Sequence, residues 1–260
     1  MFPKLKINTV QLLDNCPELY DCLNKYYPIG LTRDDENYFS YPGIKVWNEI
    51  VEKNIFQAEN HKKEWKTGFL ENLKQKLDFK NVVDTTMGLV PNFSGIIELK
   101  DNLNSRTQLR FYKSLIGNYF TIEVLENIRP KEISHPIFGK RKIWEIENII
   151  TSPVGEYETL FLKVYEAFIE KYEGIKFIPY IWDIYLLNDL DVPHTSNPGE
   201  EVSVAGAFFK KHSKYDDSIN ILGDIKYEIN KLRKDGYSPP FFDTILPPPS
   251  WREPDRSDMQ

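Results

Sequence analysis

Gln108-Leu109-Arg110-Phe111-Tyr112 and, past Ser114-Leu115-Ile116-Gly117-Asn118, Tyr119-Phe120-Thr121-Ile122-Glu123-Val124 are the residues that decide the fold. Leu109 and Phe111 alternate with Gln108, Arg110 and Tyr112. Phe120, Ile122 and Val124 alternate with Tyr119, Thr121 and Glu123. A two-residue period marks half-buried strands, and Gly117-Asn118 suits the reversal between them. Ile97 and Leu99 upstream and Trp144 and Ile146 downstream extend the pattern to four strands. The expectation is an α+β protein: a central antiparallel meander of four or more strands with helices packed mainly on one face. Thr121 and Glu123 are then expected to be exposed, unless the second face is also covered.

Outward from the meander the period becomes helical. Pro17 to Tyr26 reads as a short helix with proline in its first turn. Ile44, Trp47, Ile50, Val51 and Ile55 recur at steps of three and four, and Trp65, Phe69, Leu73 and Leu77 at steps of four. Beyond the sheet, Tyr157, Leu160, Phe161, Val164, Phe168 and Ile169 form a broad stripe closed by Gly174. That helix is expected to cover the apolar face. Val202 to Phe209 reads as a further strand, and Ile219, Leu222, Ile225, Ile229 and Leu232 as a last helix ending at Asp235-Gly236. From Glu126 to Lys140 a long connection holds His135-Pro136, which makes His135 the histidine most placed for function. Residues 1–246 are expected to form one domain and residues 247–260 a loose, proline-rich tail.

A chain of 260 residues can bury a core without staples. Apolar content of 41% and charged content of 28% fit a soluble globular protein. Two cysteines, Cys16 and Cys22, make no disulfide framework and suggest a reduced, cytoplasmic setting. No leader pattern opens Met1 to Lys6 and no run of 18 apolar residues occurs, so neither export nor a membrane partner is expected. A net charge of −6 argues against a nucleic-acid partner, which needs a basic footprint. No phosphate loop, nucleophile elbow or zinc spacing is present, and no cofactor is expected.

Two constellations carry functional expectations. Val82-Val83-Asp84 precedes Ile96-Ile97-Glu98-Leu99-Lys100, with acid and lysine two apart on one strand face. This resembles the Asp…Glu-x-Lys core of the restriction-endonuclease-like nucleases. The resemblance implies a divalent cation held by Asp84 and Glu98, with Lys100 helping to activate water. A helix and crossover follow the Glu-x-Lys strand in that family, whereas a hairpin follows here. The competing reading is a solvent-facing strand with Glu98 paired across to Arg110.

The second constellation is a gap between Lys176 and Lys210 that contains no lysine or arginine. Asp183, Asp189, Asp191, Glu200 and Glu201 fall in it, beside Tyr180, Trp182 and Tyr185 and with His194 nearby. The expected use is a partner-binding surface, with Tyr180, Trp182 and Tyr185 as apolar anchors and Asp189, Asp191, Glu200 and Glu201 steering a basic protein. The competing readings are core aromatics with a solvated loop, and a hard-metal site. The leading expectation is a non-enzymatic cytoplasmic binding module of the inhibitor or immunity type that neutralises a toxic or enzymatic partner. Its general character is similar to that of bacterial immunity proteins. The alternatives are the nuclease and a scaffold subunit of a larger assembly.

Overall fold

The computed structural model describes residues 4–56, 61–77, 81–101, 105–135, 139–210 and 219–233. An eight-stranded sheet is built on β5 (Tyr119–His135). One edge of β5 pairs antiparallel with β4 (Arg106–Ser114), which pairs with β3 (Asn92–Asp101) and then β2 (Val82–Asp84). Three strands share the other edge in turn: β8 (Lys176–Phe177, parallel), β7 (Asn148–Ile150) and β6 (Gly139–Glu145). A parallel strand β11 (Asn220–Leu222) adds outside β7. The α+β expectation holds, with mostly antiparallel neighbours in the sheet.

The first face carries Ile97, Leu109, Phe111, Phe120, Ile122 and Val124, all buried. Helix α5 (Glu158–Lys171) lies on it, as its apolar stripe predicts, through Phe161, Val164 and Phe168. The Phe168 ring stacks on Phe120 at 4.5 Å and meets Phe69 at 4.4 Å. Trp65 and Phe69 come from wide π-helical turns over His61–Leu70, which run into α4 (Glu71–Leu77). Steps of four residues drift by about 40° per turn on 3.6-residue α geometry. The wider turns offset that drift, so Trp65, Phe69, Leu73 and Leu77 all reach the core. Gly95 has a local reason of its own: an added Cβ would sit 2.5 Å from the Phe111 ring, which lies across it.

The second face is covered too. Thr121 is 3% and Glu123 is 1% exposed, the outcome the expectation allowed for a covered second face. The cover comes from both flanks of the chain. From the front it takes β1 (Leu5–Ile7), α1 (Gln11–Asn15), α2 (Pro17–Tyr26) and α3 (Pro42–Val51). From the back it takes α6 (Ile181–Ile184), β9 (Tyr185–Leu187), β10 (Val202–Ser203) and α7 (Val204–Phe208). A three-stranded sheet, β1-β9-β10, ties the flanks together, with β1 parallel to β9. Helix α2 has the bounds its sequence predicts.

Three local expectations are corrected. Glu126 to Lys140 is no loose connection: β5 runs on to His135 and returns as β6, a two-stranded ribbon in register from Arg129↔Glu145 to His135↔Gly139. The His135 side chain lies outside the described residues. Val202–Phe209 is a two-residue strand followed by α7, whose start is capped by the Ser203 hydroxyl accepting from Gly206 N–H. Residues 219–233 form β11, turns and a short 3-10 helix at Ile229–Lys231. Gly223, at φ +88°, ends the helical option there. The proline-rich stretch 247–260 lies outside the described residues. Ile122→Ala removes a core aliphatic that is 2% exposed and should cost about 2–5 kcal/mol, read from denaturant midpoints at constant slope.

Candidate functional site

Asp84 and Glu98 are separated by the sheet itself. Asp84 stands opposite Gly95 in the β2–β3 ladder, three residues from Glu98 along β3. Three residues of strand span about 10 Å, and the odd count puts the two carboxylates on opposite faces. Asp84 faces the helices and accepts from Trp65 Nε1 at 3.2 Å and Thr86 N–H at 3.0 Å. His61 and Lys66 approach it at 3.1 and 3.3 Å. Burial alone would raise its pKa, but the Thr86 bonds, His61 and Lys66 outweigh burial and hold the carboxyl below its ordinary value.

Glu98 is on the other face, accepting from Gln108 Nε2 at 3.4 Å. The expected pairing with Arg110 is replaced by a relay: Arg110 donates to Gln108 Oε1 at 3.1 and 3.3 Å. Lys100 is drawn away to Glu156 at 3.1 Å. The three residues do not converge on one cation, and among the described residues no group of three His, Cys, Asp or Glu side chains could hold a metal. This geometry leaves the nuclease alternative without its centre.

Two acids of the gap, Asp191 and Glu201, meet cations far away in sequence, and the others accept hydrogen bonds from neutral groups. Asp191, 2% exposed, accepts from Arg33 Nε at 3.0 Å, Arg33 N–H at 2.9 Å and Gly199 N–H at 3.0 Å. Asp189 accepts from Thr9 N–H and the Thr9 hydroxyl at 2.8 and 2.6 Å, just before α1. Glu200 accepts from the N–H groups of Ser196 and Asn197, Glu201 pairs with Lys6, and Asp183 accepts from the Ser203 hydroxyl. Trp182 and Tyr185 are buried at 0% and 1%, with ring centres 5.7 Å apart, and Tyr180 packs against the same core. Trp182, Tyr185 and Asp191 are therefore parts of the interior, and Tyr180 and Asp189 are half-buried at its edge. Glu200 and Glu201 stay at its rim.

His194 belongs to the same interior. Its ring lies parallel to Trp47, and Nε2 is 2.8 Å from the Gly206 carbonyl. A carbonyl can only accept, so Nε2 carries the proton in the neutral ring. Burial pushes the imidazole down to about 4, reinforced by Lys210 and Arg33 and opposed by the Gly206 bond.

What the Asp191 interior positions lies at the surface. Arg33 begins the turn Arg33-Asp34-Asp35-Glu36-Asn37-Tyr38-Phe39, and its guanidinium also donates to the Thr195 carbonyl and hydroxyl at 2.9 and 2.7 Å. Tyr38, fully buried, donates its hydroxyl to the Asp191 carbonyl at 3.0 Å. Both ends of the turn are thus pinned to one residue. Between them Asp35 N–H donates to Thr32 O, Tyr38 N–H to Asp35 O, and Asn37 N–H to the Asp35 carboxylate. Asp34 and Glu36 point outward, and Phe39 follows at 57% exposure. The arrangement is a rigid acidic knuckle with an apolar tip. Three consecutive acids beside an aromatic were visible in the sequence; what hid the knuckle was that its support comes from Asp191.

No protein-family model, no curated protein and no solved structure matches the chain. Among the described residues no helix is long and apolar enough to cross a membrane.

Two outcomes follow from the interior. Arg33→Ala leaves a buried carboxylate without its cation and should cost about 3–5 kcal/mol, measured by chemical denaturation. His194 keeps its proton off until about pH 4 when folded and takes it up near 6.5 when unfolded. The unfolded chain therefore binds more protons across that window, and stability should fall by up to about 3 kcal/mol from pH 6.5 to pH 4. His194→Gln should flatten that part of the profile; an unchanged slope would assign it to other groups.

Proposed function

We propose that the chain is a non-enzymatic protein-binding module that masks a basic protein partner in the cytoplasm, as an inhibitor or immunity-type protein of bacterial kind. The observation that carries this reading is the knuckle: Asp34, Asp35 and Glu36 beside the exposed Phe39, held by Arg33 and Tyr38 on buried Asp191. Exposed acids steer a cationic partner, and an exposed aromatic supplies the desolvated anchor that dominates interface energy. Pre-pinning the turn lowers the ordering cost of binding. Cys16 and Cys22 are both free thiols, which supports a reducing compartment. This reading keeps the basic partner expected from the sequence and moves the contact from residues 180–201 to residues 34–39.

Purification of the full chain from its native host should recover a stoichiometric basic protein. Asp34→Lys, Asp35→Lys and Glu36→Lys together should slow association with it about tenfold or more at low salt, and the difference should shrink as salt screens exposed charges. Phe39→Ala should mainly speed dissociation. Unchanged association of the folded triple variant at low salt would place the interface elsewhere, and repeated recovery of the chain alone would count against the module reading.

A further inference from the structure

The turn that holds the knuckle from behind is Asp191-Val192-Pro193-His194-Thr195. Arg33 donates to the Asp191 carboxylate, to the Pro193 carbonyl at 3.5 Å, and to the Thr195 carbonyl and hydroxyl at 2.9 and 2.7 Å. The turn is closed on itself, because the Thr195 N–H and hydroxyl both donate to the Val192 carbonyl, at 3.3 and 3.0 Å. Its residues therefore move together, and Arg33 moves with them. His194 lies between Pro193 and Thr195 in sequence, and its ring reaches the other way, into the interior.

What the ring meets there decides which protonation state fits. Helix α3 presents the Trp47 ring, parallel to it at 6.2 Å between centres, and α7 presents the Gly206 carbonyl, 2.8 Å from Nε2. Nδ1 is buried and has no hydrogen-bond partner among the described residues. The charged groups that act on the ring are both cations: Arg33 of the knuckle, and Lys210 beyond α7, whose Nζ donates to the His194 carbonyl at 2.7 Å. Asp191, in the same turn, has its carboxylate on Arg33 and Gly199. Tyr38 and Tyr27 donate to the Asp191 and Ala207 carbonyls, and burial pushes both phenols up, so neither changes charge in acid. A proton at Nδ1 adds a buried donor without an acceptor and a third positive charge beside two others. The ring is 6% exposed, so water reaches it fully only when the turn lifts from α3 and α7.

We infer that His194 is an acid-operated latch: a proton taken up by its ring lifts the turn off α3 and α7, withdraws Pro193 and Thr195 from Arg33, and so frees the knuckle. The sign follows from burial. In the shut state the imidazole stays neutral down to about pH 4, whereas a ring in water takes its proton near 6.5. The shut state therefore binds fewer protons, and it loses ground as pH falls through that window. Above pH 6.5 the latch is closed. The inference rests on the knuckle being a docking surface for what is regulated, the presentation of Asp34, Glu36 and Phe39. The movement itself is read without any partner.

Amide hydrogen exchange followed by NMR on the full chain, from about pH 7 to about pH 4, tests it. The Arg33 and Tyr38 amides, which donate to the Asp191 carboxylate and the Asp35 carbonyl, report the knuckle, and those of Ile122 and Val124 in β5 report the core. After division by intrinsic rates, opening of the knuckle amides should rise about 100-fold across that range. It should also exceed opening of the core amides at least about tenfold at each pH. His194→Gln keeps a donor for the Gly206 carbonyl but takes up no proton, so its rise should stay below about tenfold, with circular dichroism as the control for folding. The wild-type ring, followed by its own NMR signals, should titrate well below 6.5 in the folded chain. A ring that titrates at its ordinary value overturns the latch whether or not the variant folds. Knuckle amides that open only together with the core overturn it too, as does an equal rise in His194→Gln, which assigns the opening to carboxylates. If the latch fails while D34K/D35K/E36K still slows the basic partner, the docking reading stands alone. If the latch holds while that variant associates normally, the knuckle moves with acid and the docking surface lies elsewhere.

Discussion

Strand β5 is the constraint on which the rest depends. It is flanked on one edge by β4 and on the other by β8, β7 and β6 in succession, and both its faces are buried along Phe120 to Leu125. A strand buried on both sides cannot be a surface meander. It requires one cover for Phe120, Ile122 and Val124 and another for Tyr119, Thr121 and Glu123. The middle of the chain supplies the first cover through α4 and α5, and the two flanks supply the second. The parallel pairing of β1 with β9, about 180 residues apart, follows from that need. So does the burial of polar groups on the second face, where Arg110 stands opposite Glu123 and the Tyr112 hydroxyl is 3.4 Å from the Glu123 carboxylate.

The local alternation made the strands legible, because period two and period 3.6 are properties of neighbouring residues. Residues 108–124 and 157–169 show this, and so does α2. Alternation left the second face undecided: Thr121 and Glu123 look solvent-facing because polar residues alternate there, yet polar side chains also serve on a covered face when partners stand across the ladder. Val202–Phe209 and residues 219–233 failed for a different reason. Their apolar spacing reflects what packs on them from remote segments, and their backbone is set by Ser203 capping and by Gly223 at positive φ.

The acidic gap shows the same limit at the level of the site. Between Lys176 and Lys210 no cation stands nearby in sequence, but Arg33, Lys6 and the Thr9 hydroxyl and N–H stand nearby in space. Counting charge along the chain measured the wrong distance. The two acids that looked most like a functional pair, Asp189 and Asp191, hold the front flank to the back flank. Asp84, Glu98 and Lys100 fail as a centre by a register argument that the sequence did not contain: it gives the alternation within β2 and β3 but not which residue of one lies opposite which residue of the other.

A buried ion pair is weak evidence of net stability, since desolvation offsets much of its attraction. Arg33–Asp191 is better understood through its geometry. The Arg33 side chain is 13% exposed and that of Asp191 1%, and the pair is joined by bonds to Thr195, Gly199 and Tyr38. A hydrophobic pair of similar volume could fill the same space, but it would not fix the direction of the backbone at Arg33. The carboxylate accepts from both the N–H and the guanidinium of Arg33, so position and orientation are set by one group. That constraint passes straight to the next residues of the chain, Asp34 to Glu36. The tie therefore does two things at once: it joins the front flank to the back flank, and it sets the direction in which the acids of the turn are presented, which is why the proposed binding surface rests on it.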